Sequence, residues 1–247
     1  MKIEILASGS GGNCIALQAP EGAILVDAGI AKTKIEKRLL DVGIRPDSIA
    51  AIFITHAHSD HIKGLPLANK YKIPVFAAEG EWKDIQCVEE LLKSPFKAGD
   101  SIHLKNRFYI ETFSSHHDAL DPVGYVISDF HGNKVSICLD TGIVDEEMLA
   151  KMEYSTAYII EANHDPAMVE ASDYPNSVKA RIVSDVGHLS NQQTAEALSF
   201  LVKGISEQIY LTHLSSSNNM PGLAEMTVKR ILAKKGIRPD KYKLEVI

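Results

Sequence analysis

Residues 55–61 read Thr55-His56-Ala57-His58-Ser59-Asp60-His61, directly after the apolar stretch of residues 50–54. The length and Ile/Phe content of that stretch predict a buried strand. Past its end, three imidazoles and one carboxylate fall within six residues. Extended residues two apart share a face, so His56 and His58 can converge on one point. Asp60 and His61 sit on the next turn and can face a second point. Neutral imidazole and carboxylate suit zinc, manganese or iron, and a catalytic ion needs about three protein ligands plus an open position. A chance cluster of surface histidines would not be this dense. One motif cannot complete two sites, so further ligands must come from elsewhere.

Other strand ends supply them. Short apolar runs recur at 23–29, 108–117, 134–140, 157–165 and 209–215. Those at 23–29, 108–117, 134–140 and 209–215 close on polar clusters holding Asp27, His116 or His117, Asp140 and His213 respectively. Taken singly, such an Asp caps the next helix and such a His is structural; their shared position after apolar strands makes the set. Helical patterns lie between. Residues 32–43 place Ile35, Leu39 and Leu40 on one face and end in Gly43. Residues 190–204 begin with a Ser190 cap and end in Gly204, and 223–236 end in Gly236. The segment GIRPDSI at 43–49 recurs as GIRPDKY at 236–242, and helix, Gly-Ile, strand, Thr-His occurs twice, ending at His56 and at His213. This is the trace a fold of two similar halves would leave.

The 247 residues are 45% apolar and 23% charged. That composition excludes disordered and collagen-like classes and permits a sizeable core without staples. No apolar run approaches a membrane span, and the first residues lack the pattern of a signal peptide, so the expectation is a cytoplasmic protein without membrane association. Three separated cysteines predict reduced thiols, with Cys14 and Cys138 as core packing. The net charge of −6 does not suggest a nucleic-acid binder, although residues 229–247 carry seven basic and two acidic side chains, locally +5. That stretch reads as a solvated helix face or as a phosphate-facing patch.

The ordered series Asp27, His56-x-His58-x-Asp60-His61, His117, Asp140, His213 resembles the five motifs of the metallo-β-lactamase fold over almost the whole chain. The resemblance implies an α/β fold, an αββα four-layer sandwich of two similar halves, as a single domain over 1–247 with no β-CASP insertion. It implies two divalent metal ions, Zn²⁺ or Mn²⁺. His56, His58 and His117 would hold one, Asp60, His61 and His213 the other, Asp140 would bridge, and Asp27 would orient the His-rich loop. Asp rather than Cys at position 140 argues against a β-lactamase. His117-Asp118-Ala119 with 121–125, the Gly-rich residues 8–13, Glu161-Ala162-Asn163-His164-Asp165, Tyr174-Pro175, 187–191 and 212–215 resemble the YycJ/WalJ type of bacterial nuclease of this fold. That type implies a DNA exonuclease, 5′-to-3′, with links to DNA repair. An RNA-processing nuclease, or a thioester, lactone or cyclic phosphodiester hydrolase, is the alternative within the fold.

Glu161 and His188 resemble the catalytic Glu and His of tRNA 3′-end endonucleases of the fold. With Asp60 they are read as the catalytic residues, His188 protonating the leaving oxygen. His164, Ser215 and Asn218 are candidate substrate contacts, with Asn219 beside them and Asp165 lining substrate or holding its loop. Lys63, Lys179, Arg181 and the C-terminal cations are candidates for a basic rim facing DNA, with RNA as the alternative partner.

Overall fold

Every apolar run becomes a strand, and the polar residues lie at or just past the strand ends. The computed structural model describes residues 1–104 and 107–247. The chain divides into two compact units. One comprises Met1–Thr112, Ala119–Val123 and Asp129–His131; the other comprises Phe113–Asp118, Gly124–Ser128 and Gly132–Ile247.

In the first unit, β1 (Lys2–Ala7), β2 (Cys14–Ala19) and β3 (Gly22–Val26) form an antiparallel meander. The chain then crosses through α1 (Lys32–Asp41) to β4 (Ile49–Phe53), and through α2 (Ser59–Ile62) and α3 (Pro66–Tyr71) to β5 (Val75–Ala78) and β6 (Lys93–Phe96). From β3 onward the pairing is parallel, completing a six-stranded sheet ordered β1 to β6. Helix α1 buries Ile35 and Leu39, whereas Leu40 points to solvent at 59% exposure. The sequence reading put Leu40 on the buried face. One residue beyond Leu39 turns about 100° around the helix and leaves the core stripe.

The seven-stranded sheet runs in the order β13-β12-β11-β10-β9-β8-β7. Its strands are β7 (Ser101–Leu104), β8 (Phe108–Ser114), β9 (Val123–Asp129), β10 (Lys134–Cys138), β11 (Ala157–Glu161), β12 (Glu207–Thr212) and β13 (Tyr242–Val246). The last four pair in parallel. Their crossovers are α4 (Glu146–Met152), then α5 (Pro166–Ala171), α6 (Asn176–Ile182) and α7 (Asn191–Leu201), then α8 (Pro221–Lys234). Strand β11 is buried at every position, as expected for a parallel strand covered on both faces. Ser190 caps α7 in a reciprocal box with Gln193. The helix closes at Leu201, three residues before Gly204, which takes a left-handed turn at φ +76°.

Both copies of GIRPD adopt one local structure. Gly43 and Gly236 have φ of +81° and +82°. Ile44 and Ile237 donate their N–H groups to Leu39 and Leu232. The Pro starts a short 3₁₀ turn in each copy, and the Arg pairs with the Asp two residues on in both, Arg45 with Asp47 and Arg238 with Asp240. Each unit has its own apolar core, with Cys14 in the first and Cys138 in the second, both fully buried.

Candidate metal centre

In the first unit β4 ends at Phe53, and the His-rich loop follows into the four-residue α2. His56 and His61 are buried; His58 and Asp60 are half-buried. The rings of His56 and His58 lie 4.5 Å apart, edge to face, and those of His56 and His61 4.1 Å apart. Thr55 and Asp27 set their protonation. Asp27 Oδ1 accepts the Thr55 N–H at 2.9 Å, and Oδ2 lies 2.9 Å from the Thr55 hydroxyl and 2.7 Å from His61 Nδ1. A carboxylate only accepts, so His61 Nδ1 carries the proton and Nε2 presents a lone pair. The Thr55 hydroxyl, having donated to Asp27, accepts from His56 Nδ1 at 3.1 Å, which leaves His56 Nε2 in the same state.

Asn13 completes this arrangement, and sequence reasoning did not single it out. Its side-chain amide lies 3.1 Å from His61 Nε2, and its backbone N–H donates to Asp60 O at 2.8 Å. The approach requires Gly29, where a Cβ would fall 1.5 Å from Asp60 O. The Gly-rich segment is therefore a hairpin turn that also brings one polar side chain to His61.

In the second unit the adjacent histidines part. His116 Nε2 lies 2.7 Å from Asp145 Oδ2, the residue that caps α4. His117 is buried and directs Nδ1 to Gly187 O at 3.1 Å. Its Nε2 then faces Asp118 Oδ1 at 3.2 Å. Two acceptors at that distance repel unless a proton or a cation lies against them, and burial pulls the His117 imidazole below its ordinary pKa. Arg181 pairs with the other oxygen of Asp118 at 2.5 Å.

Asp140 and His213 follow β10 and β12 and are held close, Oδ1 to Nδ1, at 2.7 Å. Glu161, fully buried at the end of β11, accepts the N–H groups of Thr141 and Leu189 on Oε1. Its Oε2 lies 3.0 Å from His188 Nδ1 and 3.3 Å from His213 Nδ1. Burial pushes the Glu161 carboxyl up, but the charge and hydrogen bond of His188 and the hydrogen bond of His213 outweigh it and hold it below the usual range. Burial pulls His188 down, yet the adjacent Glu161 carboxylate, followed by Asp140, carries it above its ordinary value. One ligand atom each from Asp140, Glu161, His188 and His213 fall within 4.8 Å of one another. Asp140, Glu161 and His213 are buried and His188 is half-buried, and carboxylates with imidazoles are donors that suit a divalent cation.

Backbone strain marks the same positions. Asp27, Asp140 and His213 take left-handed φ of +59°, +45° and +54°, each just past a strand. Asp and His tolerate that region better than most residues, and such outliers collect at functional sites.

The candidate substrate contacts are mostly committed to the loop. Asp165 caps α5 through Ala167 and Met168. The Ser215 hydroxyl accepts the Asn218 N–H at 3.1 Å, and Asn219 pairs with Asn191. His164 is buried, with Nδ1 unmatched by a hydrogen bond among the described residues, as is Asn218 Oδ1. Of the proposed rim, Arg181 is tied to Asp118, Lys179 to Glu170 O, and Lys63 is exposed.

The model of the β-lactamase superfamily domain matches residues 23–214. The chain belongs to the β-lactamase superfamily. Among relatives, exodeoxyribonuclease YycJ of Bacillus anthracis is 37% identical over 96% of this chain and 90% of its own length. Exodeoxyribonuclease WalJ of Streptococcus pneumoniae is 38% identical over 94% of this chain and 88% of its own. The metallo-β-lactamase fold protein YhfI of Bacillus subtilis superposes with a TM-score of 0.76 at 14% identity, over 99% of this chain and 95% of that one. The superfamily fold expected from the motif series is thus the fold of this chain, with mixed sheets and flanking helices. No helix among the described residues is long and apolar enough to cross a membrane.

Proposed function

We propose that this chain is a metal-dependent exodeoxyribonuclease that hydrolyses DNA phosphodiesters in the 5′-to-3′ direction. The observation that carries the reading is near-full-length identity of 37% to a protein named as an exodeoxyribonuclease. The ordered His/Asp motifs of a binuclear hydrolase support it, as do the half-sites organised within each unit.

On this reading the chain acts as a single catalytic domain, residues 1–247, with no β-CASP insertion. His56, His58 and His117 would hold one divalent ion and Asp60, His61 and His213 a second, with Asp140 as a ligand they would share. Zinc or manganese fits these donors. When bound, the ions supply Lewis acidity that polarises the scissile phosphate and lowers the pKa of water. Asp27 and Thr55 keep His56 and His61 in the tautomer whose Nε2 is a ligand. Glu161 holds Nδ1–H of His188 and leaves Nε2 to protonate the departing sugar oxygen. Ser215, Asn218 and His164 border the substrate, with cations of the C-terminal segment facing the DNA backbone. The enzyme is assigned to the cytoplasm and to DNA repair.

The test is to incubate metal-stripped protein, restored with Mn²⁺ or Zn²⁺, with end-labelled single- and double-stranded DNA and matched RNA. Metal-dependent shortening of DNA from the 5′ end, lost in Asp60→Ala/His61→Ala, is the expected result. Cleavage of RNA alone, or turnover of a thioester or lactone without any nuclease activity, would overturn it.

A further inference from the structure

The turn after β5 buries a carboxylate that the motif series does not use. Glu81 lies in the 3₁₀ segment Glu79–Lys83 and is 1% exposed. Acids are almost never buried to this extent unless paired. Glu81 has no salt bridge among the described residues; its partners are two backbone N–H groups. Oε2 accepts from Ala57 at 2.6 Å and Oε1 from Asp121 at 2.5 Å. Ala57 is the residue between His56 and His58. Two residues beyond Asp121, the Val123 N–H donates to Thr55 O at 2.9 Å. The loop that carries both imidazoles is therefore held at Thr55 and at Ala57 by the same short segment, and Glu81 makes the second connection. The packing around it is close: a Cβ on Gly80 would come 2.8 Å from Asp121 Cβ.

We propose that Glu81 is a positioning residue for the metal centre, which presets the His56 and His58 imidazoles by clamping the peptide between them. The proposal rests on the reading of those two histidines as ligands. Bonds from backbone N–H groups to a carboxylate are about twice as strong as neutral ones. A clamp of this kind fixes the peptide plane from which both rings project. Its buried negative charge also favours a cation nearby. Outer partners that orient ligands typically govern metal affinity by about 10- to 100-fold. Glu81 is invisible to motif reading because it lies 24 residues from Ala57 and 40 from Asp121.

Glu81→Gln is the discriminating change. Gln retains one acceptor, and its –NH₂ opposes an N–H donor. Co²⁺ binding, followed by its visible ligand-field absorption and by competition with a chelator, is compared with wild type alongside the melting temperature of the metal-free protein. The expected result is affinity weakened by about 10- to 100-fold with an altered absorption band. Unchanged affinity and spectrum, with only a lowered melting temperature, would show that Glu81 merely ties two loops together and would overturn the proposal. Wild type that takes up no cobalt overturns the metal reading itself, and the clamp with it, and is thereby distinguished from failure of the clamp alone. If Glu81→Gln does not fold, Glu81→Asp keeps the charge but reaches only one N–H. It is read by the same two measurements, with weakened affinity expected and wild-type affinity overturning the clamp.

Discussion

His188 Nδ1 stands 3.0 Å from Glu161 Oε2, while the other oxygen of the same carboxylate accepts two backbone N–H groups. The carboxylate cannot swing away without breaking the bonds from Thr141 and Leu189, so the imidazole it orients is fixed in direction and tautomer. That is the arrangement expected of a proton donor held by a buried acid.

His188→Ala is expected to lower kcat on DNA by about 10²–10⁴-fold, the range for loss of a general acid. The loss should shrink to under about tenfold on bis-p-nitrophenyl phosphate, whose leaving group departs without a proton. Metal content should stay at the wild-type level. A variant that loses an ion, or is impaired equally on both substrates, would place His188 among the ligands instead.

Asp27 connects to Thr55 and His61 at once and is itself fully buried. Asp27→Asn removes the charge that fixes the His61 proton on Nδ1. Metal affinity is expected to fall about 10- to 100-fold. Stability should fall by about 1–3 kcal/mol, the cost of a disrupted buried polar group. Chelator competition and denaturant unfolding of the metal-free protein separate the two effects. Unchanged affinity would reduce Asp27 to a purely structural role.

The strands and most of the motif residues were legible because burial imposes a short-range pattern. Strand β11, buried at every position, reads as AYIIE, and its last residue is the functional Glu161. Leu40 was misplaced because the buried stripe of α1 takes Ile35 and Leu39 and excludes the residue one step, about 100°, further round. Asn13, Thr55 and Glu81 were not legible for a different reason. Their roles are hydrogen bonds between residues as much as 48 apart in sequence, and no local periodicity encodes such a pairing. The positive φ of Asp140 and His213 was equally hidden, since Asp and His reach that region without the glycine that would have advertised it.

Metal removal provides a stability test independent of turnover. A ligand that binds only the folded state stabilises it by about 2.7 kcal/mol at a hundredfold excess over its Kd. The melting temperature of chelator-treated protein is therefore expected to rise on titration with Zn²⁺ or Mn²⁺. The rise should be blunted in Asp60→Ala/His61→Ala. Equal rises in both proteins would mean that the ions bind elsewhere.

The C-terminal segment allows its electrostatic role to be tested by salt. Lys229 pairs with Glu225, Arg238 with Asp240, and Lys235 lies 4.9 Å from the centre of the Phe200 ring. Arg230, Lys234, Lys241 and Lys243 are exposed, and their side chains are uncommitted among the described residues. Such cations release condensed counterions when they meet phosphates, and each contact contributes about −0.9 to the slope of log K against log salt on duplex DNA. Lys234→Glu/Lys243→Glu is expected to weaken DNA binding across all sequences and to flatten that slope by about one to two. The rate on bis-p-nitrophenyl phosphate, which has no extended backbone to contact, should stay unchanged. A wild-type slope would remove this segment from the DNA-facing surface, and a lost rate on the small substrate would show that the substitution damaged the fold rather than the binding face.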